Sequence, residues 1–347
     1  MENAITEKPA YEFDGISIGY SFYPALGDSI IAKKVFEAIA QVEPNCRIDI
    51  LCRDDKSRVY AKAFYSGHKN LNQILNASNV NLKNYDLVLN FSWDIFLNSV
   101  SERLQRLSPA LFQSIVKIDM YNKKYIYNRD AASRFLFNMA RSRILKTNCY
   151  TILACDGALP IYDNKVEIKL SPEWKGEFEK LGLKKYITIG SNDINHTRHL
   201  VKQWPTRYYV EFISLLKSKM PDITVVQTGG NGVIEIENAD KKLLGTDLEL
   251  TKYILKNSLL HIDCEGGPVH LASQLGTKCI AFFGATDVQY YGFSQNINLV
   301  SEICNPCYFV WESNDKCLLG GKEPLCMLSI TPQQVFDVAY RYLKSLE

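Results

Sequence analysis

Short apolar runs recur along this chain, each closed by a glycine or polar turn, with helix-period stretches between them. Ile16–Tyr20 reads as a first buried strand. The stretch from about Asp28 to Val42 then puts Ile31, Val35, Ala38, Ile39 and Val42 on one helical face before Pro44 ends it. Arg47–Cys52 alternates polar and apolar positions, so the first fifty residues predict a βαβ unit. Tyr85–Phe91 is another buried strand. Between Ser92 and Asn148 the pattern weakens, with Ser114–Ile118 reading as a strand among helices and loops. The basic, aromatic stretch holding Tyr121, Lys123, Lys124, Tyr125, Tyr127 and Arg129 is either a surface for a phosphorylated or sugar ligand or a half-exposed helix face.

Cys155–Leu170 reads as a linker, after which Ser171 and Pro172 are placed as cap and first residue of a helix. A second series begins there. Tyr186–Gly190 is its first strand, Thr206–Met220 a helix, and Ile223–Gly230 a strand ending in a glycine turn. Gly245 precedes a helix that Thr246 or Asp247 can cap. Leu259–Cys264 is a buried strand, Gly266 and Gly267 supply its turn, Pro268 opens a short helix and Gly276 closes it. A capped helix runs from Thr331-Pro332 to Leu346 with Val335, Val338, Ala339, Tyr342 and Leu346 on one side. Repeated strand–helix units with glycine at the strand ends predict an α/β protein of two doubly wound, Rossmann-like domains. The expected division is 1–160, 161–330, and a terminal helix over 331–347.

Composition narrows the classes. At 347 residues the chain can bury two ordinary cores, and 46% hydrophobic with 22% charged residues is globular. A formal net charge of +2 gives no field that would argue for nucleic acid as a partner. Residues 1–12 hold no apolar signal-peptide core and no run is long enough to span a membrane, so a cytoplasmic location is expected. Peripheral contact with a membrane stays open.

The stretch 259–284 carries the clearest chemistry. Backbone N–H groups at the start of a helix behind a strand end point at whatever lies beyond it, and the helix dipole favours an anion there. A diphosphate would suit Gly266 and Gly267, with Glu265 accepting from sugar hydroxyls and His270 donating to a phosphate oxygen. The plainer alternative is a glycine turn between core elements with His270 satisfied internally.

Here the sequence resembles glycosyltransferase family 9, the bacterial heptosyltransferase group. Glu265, Gly266, Gly267, His270, Phe283, Gly284 and Thr286 match its C-terminal signature, with Glu265 where the family has aspartate. Gly27-Asp28 and the Asp86-Leu87-Val88 core of Tyr85–Phe91 match two further motifs, and Lys202, Gln203, Trp204 and Pro205 match Lys-x-Trp-Pro. The resemblance implies a GT-B fold, two such domains facing a central cleft, with an N-terminal acceptor domain, a C-terminal nucleotide-sugar domain and a last helix returning to the first. It implies an inverting transferase using ADP-heptose, acting on lipopolysaccharide core or on protein, with no catalytic metal. Asp28 is then the general base, against a plainer role as helix cap. Lys202 meets the nucleotide phosphate, Ser191, Asn192 and Thr197 bind hydroxyls, and the turns at Gly229, Thr246 and Asp247 lie against the adenine. His196, Arg198 and His199 are further candidates toward sugar or acceptor. A transferase for a UDP- or GDP-sugar and a non-catalytic sugar-nucleotide-binding protein are the rivals.

Six of the ten cysteines lie in apolar segments, and four cluster in a loop spanning 302–328. Cys304, Cys307, Cys317 and Cys326 follow C-x2-C-x9-C-x8-C, a spacing able to close a four-thiolate site for structural zinc or iron. The family resemblance extends to protein-directed members that hold iron through cysteines.

Overall fold

The computed structural model describes residues 13–190, 201–310, 316–321 and 323–347. These form two compact units, 13–130 with 150–166, and 131–149 with 167–347.

The N-terminal unit is built on a five-stranded sheet of β1 (Ile16–Phe22), β2 (Cys46–Cys52), β3 (Leu71–Asn76), β4 (Leu87–Ser92) and β5 (Asp94–Val100). Its order is β3-β2-β1-β4-β5, parallel except for β5, which runs antiparallel to β4. The first crossover helix, α1 (Leu26–Val42), buries Ile30, Ile31, Val35, Phe36, Ala38 and Ile39. Helices α2 (Asp55–Tyr65), α3 (Glu102–Leu107) and α4 (Pro109–Tyr125) complete the unit. Ser114–Ile118 lies inside α4, not in a strand. The apolar run was short enough to suit either period, and Ser108 capping with Pro109 in the first turn decides for helix. The basic, aromatic stretch is largely helix surface: Lys123 pairs with Asp119 at 2.6 Å and Lys124 lies over the Tyr125 ring.

The C-terminal unit carries α5 (Ala131–Leu145) and α6 (Lys175–Lys180). Around its sheet lie α7 (Thr206–Lys219), α8 (Leu248–Lys256), α9 (Gly267–Gln274), α10 (Val288–Tyr291), α11 (Leu325–Ser329) and α12 (Pro332–Lys344). Its sheet comprises β6 (Tyr186–Ile189), β7 (Thr224–Gly229), β8 (Lys241–Leu244), β9 (His261–Cys264), β10 (Cys279–Phe283) and β11 (Ile297–Val300), in the order β11-β10-β9-β6-β7-β8, all parallel. Read from β8, this is the 3-2-1-4-5-6 order of a dinucleotide-binding sheet, and its direction reverses between β6 and β9. Ligands bind such sheets outside the carboxyl ends of the two strands flanking that reversal. The apolar core runs from Ile187, Ile189 and Ile262 through Trp204, Phe212 and Phe282 to Val335, Ala339 and Leu343, so α12 contributes to this unit's own core. Thr331 and Gln334 cap α12 reciprocally, as its sequence suggests. Ser171 does not cap its helix: its backbone N–H donates to Glu249, and Pro172–Trp174 is a 3-10 turn leading into α6. Among the described residues no helix is long and apolar enough to cross a membrane.

Candidate functional site

The strand reversal of the C-terminal unit brings together Lys202, Glu265, Gly266, Gly267 and His270 of the residues the sequence singles out. Strand alternation puts His261, Asp263 and Glu265 on one face at the β9 end, with Glu265 continuing the ladder by donating its N–H to Phe282 at 3.0 Å. Across the reversal, the loop after β6 delivers Lys202. Two residues later Trp204 anchors it: the indole is fully buried, tilted on Phe282 and edge-on to Tyr209, and donates to the Ile330 carbonyl at 2.7 Å. Its backbone N–H also donates to Cys264 Sγ at 3.2 Å, tying this loop to β9. The tryptophan of Lys-x-Trp-Pro thus fixes where its lysine stands.

Lys202 Nζ lies 2.7 Å from Glu265 Oε2, and His270 Nε2 lies 3.7 Å from Glu265 Oε1. Glu265 is 5% exposed, whereas the Lys202 side chain keeps 20% of its surface open. Burial disfavours both charges and is the largest influence on each, but their mutual attraction overcomes it. The Glu265 carboxyl is held well below the usual carboxylate range and Lys202 above the usual ammonium range. An ammonium has three donors, so a lysine held by one carboxylate can still meet an anion. The Tyr308 ring lies 4.8 Å from Nζ, and Phe293 and Tyr291 stand edge-on to the His270 ring. Gly266 and Gly267 open α9, where no side chain caps the first turn and a Cβ on Gly266 would meet nothing closer than 3.8 Å. The helix start is therefore open to a ligand, as an anion site requires.

Asp263 is the residue sequence reasoning missed. It stands directly over Gly190 at the end of β6, where a Cβ would come within 1.9 Å of its carboxyl carbon. Gly190 is glycine for that reason. Burial, with the Glu265 charge adding, pushes the Asp263 carboxyl up to about 7 despite a 2.7 Å hydrogen bond from the Cys264 N–H. The signal was available: Asp263 is two residues before Glu265 and so shares its face.

The other expected donor residues are spread more widely. Gly229 ends β7, its carbonyl accepting from Gly245 at 2.8 Å, and a Cβ on Gly245 would collide with Asn231. Asp247 caps α8 by accepting from the Glu249 N–H, and Thr246 bonds Thr251. These lie at the ends of β7 and β8, on the far side of β6 from Glu265. Ser191, Asn192, Thr197, His196, Arg198 and His199 lie outside the described residues.

In the N-terminal unit Asp28 sits in the first turn of α1, at the same kind of strand reversal, between β1 and β4. It is not the cap, because the helix begins at Leu26 with Ala25 in the cap position and no side-chain cap bond. The plainer sequence reading of Asp28 as a cap is corrected there.

Along the ends of β10 and β11 a pocket of about 360 Å³ is lined by Arg143, Thr286, Asp287, Ser301, Glu302 and Cys304. Arg143 Nε donates to the buried Asp287 carboxylate at 2.5 Å. Behind it, Gly284 leaves room for Cys326, whose Sγ would lie 2.6 Å from an added Cβ. Burial, with Cys304, Cys307 and Cys317 adding, pushes the Cys326 thiol up to about 12, so the four cysteines share one neighbourhood. All four are free of disulfides. Among the described residues no group of three or more His, Cys, Asp or Glu side chains stands in metal-holding geometry.

Two doubly wound α/β units with these reversals define a fold, and that fold is the one of the family 9 heptosyltransferase structures. The chain matches E. coli ADP-heptose lipopolysaccharide heptosyltransferase II with a TM-score of 0.59 at 13% identity, over 96% of this chain and 100% of that one. It matches a family 9 glycosyltransferase from Veillonella parvula at 0.55 and 15% identity, over 97% and 100% of the two chains. The iron-containing dodecameric glycosyltransferase TibC from enterotoxigenic E. coli matches at 0.62 and 15% identity, over 96% of this chain and 80% of TibC. No family model matches the chain, and no curated protein matches its sequence.

Proposed function

We propose that this protein is an inverting, nucleotide-sugar-dependent glycosyltransferase that moves a heptose from ADP-heptose to a hydroxyl of a lipopolysaccharide-core or protein acceptor. The observation that carries this reading is the placement of Lys202 and His270 around Glu265, beside an open helix start at a strand reversal. Those groups meet the charge that develops on the departing diphosphate, and because they are held before the reaction they need little reorganisation. Asp28 takes the proton of the acceptor hydroxyl as its oxygen attacks the anomeric carbon; the C–O bond to the diphosphate breaks from the opposite face, inverting the centre. The nucleotide-sugar part of the reading is supported by TibC, a heptosyltransferase crystallised with ADP-D-β-D-heptose.

The thiols of Cys304, Cys307, Cys317 and Cys326 suit structural zinc or iron, which would bind them as thiolates and order the loop that holds them. This proposal rests on the donor set and its proximity.

The test is calorimetric titration of metal-assayed protein with ADP-heptose, UDP-hexoses and GDP-hexoses. Selective binding of ADP-heptose is expected. Preference for another nucleotide would replace the donor, and no binding of any would overturn the function.

A further inference from the structure

Beside the proposed phosphate-binding pair lies a buried titratable column that the transfer mechanism does not use. His261, fully buried, meets Thr188 Oγ1 through Nδ1 at 3.0 Å, and its Nε2 is buried with no hydrogen-bond partner. The nearest group able to supply a proton to that nitrogen is Asp263, whose Oδ2 lies 3.8 Å away. Ser258 donates to the Leu260 carbonyl and Thr188 donates to Ser258 Oγ at 3.1 Å, so Thr188 Oγ1 accepts from His261 Nδ1–H and Nε2 is left as the acceptor. A buried acceptor left unpaired is costly, and a carboxyl satisfies it only when protonated. On its other side Asp263 faces Glu265 along the same strand face.

We infer that Asp263 takes up a proton when the nucleotide diphosphate binds, closing a hydrogen bond onto His261 Nε2 and making donor affinity fall as pH rises. This rests on the proposed placement of the diphosphate at Lys202 and His270. The bound diphosphate brings negative charge to the far side of Glu265 and draws on the same ammonium that neutralises it. Both effects disfavour a charged Asp263. None of the other groups facing Asp263 is placed to take up the proton, and uptake at His270, which stands 3.7 Å from Glu265 and meets the diphosphate itself, would persist in Asp263→Asn. Lys202 is cationic and Glu265 ionised, both held so by their pairing, and the Cys264, Cys279 and Tyr209 protons are held by burial. Burial likewise keeps His261 neutral down to about pH 3. Asp263 alone among them titrates near 7. It is a positioning residue, acting through the charge balance around Glu265.

ADP-heptose is a suitable probe because its diphosphate is esterified at both ends and has no group titrating near neutrality. Its binding enthalpy, measured at pH 7.5 in buffers of differing ionisation enthalpy, should report uptake of roughly 0.3–0.5 proton per nucleotide, with affinity falling about tenfold between pH 6 and pH 9. Asp263→Asn should bind with no uptake and a flat profile. Binding by the wild type without uptake overturns the inference while leaving the proposed function standing. Uptake retained in Asp263→Asn overturns the assignment to this residue. Absence of any binding overturns both. The wild-type measurement decides even if the variant does not fold.

Discussion

The two units share a strand order up to the fifth strand, yet their reversals are furnished differently. Between β6 and β9 the C-terminal unit concentrates charge: a buried carboxylate holding a lysine and a histidine, with a second carboxyl behind it. At the reversal between β1 and β4 the N-terminal unit has Asp28 in the first turn of α1, and across β1 and β4 Ser21 donates to Asn90 at 3.0 Å while the Arg53 guanidinium donates to the same Asn90 oxygen at 3.1 Å. On the proposed reading, one topology serves two kinds of site: the C-terminal reversal would receive the diphosphate with Lys202 held by a carboxylate, and the N-terminal reversal would receive the acceptor hydroxyl beside Asp28.

The largest effect should come from the proposed base. Asp28→Ala is expected to lower turnover about 10²–10⁴-fold, read by product formation from ADP-heptose, with donor affinity unchanged. Turnover near wild type would remove Asp28 from the chemistry. Next comes the cation: Lys202→Met should weaken ADP-heptose binding roughly 10–150-fold, the range of a charge-assisted hydrogen bond of about 1.5–3 kcal/mol. It also leaves Glu265 buried without its main counter-charge, so its carboxyl should titrate upward and the melting temperature should fall.

The strand and helix periods made most of both units legible, and the glycine turns located the carboxyl ends of several strands. β5 was not anticipated, because its run follows β4 after a single residue, Trp93, and turns back antiparallel. The Lys202–Glu265 contact was not legible either. The two residues are far apart in sequence, and their meeting depends on Trp204 locking one loop against Cys264. The cysteine spacing was plain in the sequence, but among the described residues the four thiols share a neighbourhood without metal-holding geometry, because spacing alone does not fix how a loop turns its side chains.

The smallest effect is the pH dependence of stability, in which two neighbours on β9 oppose each other. His261 has an ordinary value of 6.5 and sits at about 3 when buried, so its stabilising share is complete above pH 6.5 and is lost as pH falls toward 3. Asp263 rises from 3.8 to about 7 on folding, so its share is complete below pH 3.8 and is lost as pH rises through 7. Asp263→Asn should therefore gain stability relative to the wild type on going from pH 4 to pH 8, measured by urea unfolding. An equal difference at both pH values would show that Asp263 ionises as freely as in solvent.

The division of labour between the two reversals is tested most directly by titrating ADP-heptose into Asp28→Ala and Lys202→Met side by side. The account predicts wild-type affinity in the first and the large loss in the second. Loss of binding in Asp28→Ala with affinity retained in Lys202→Met would put the donor in the wrong unit and contradict it.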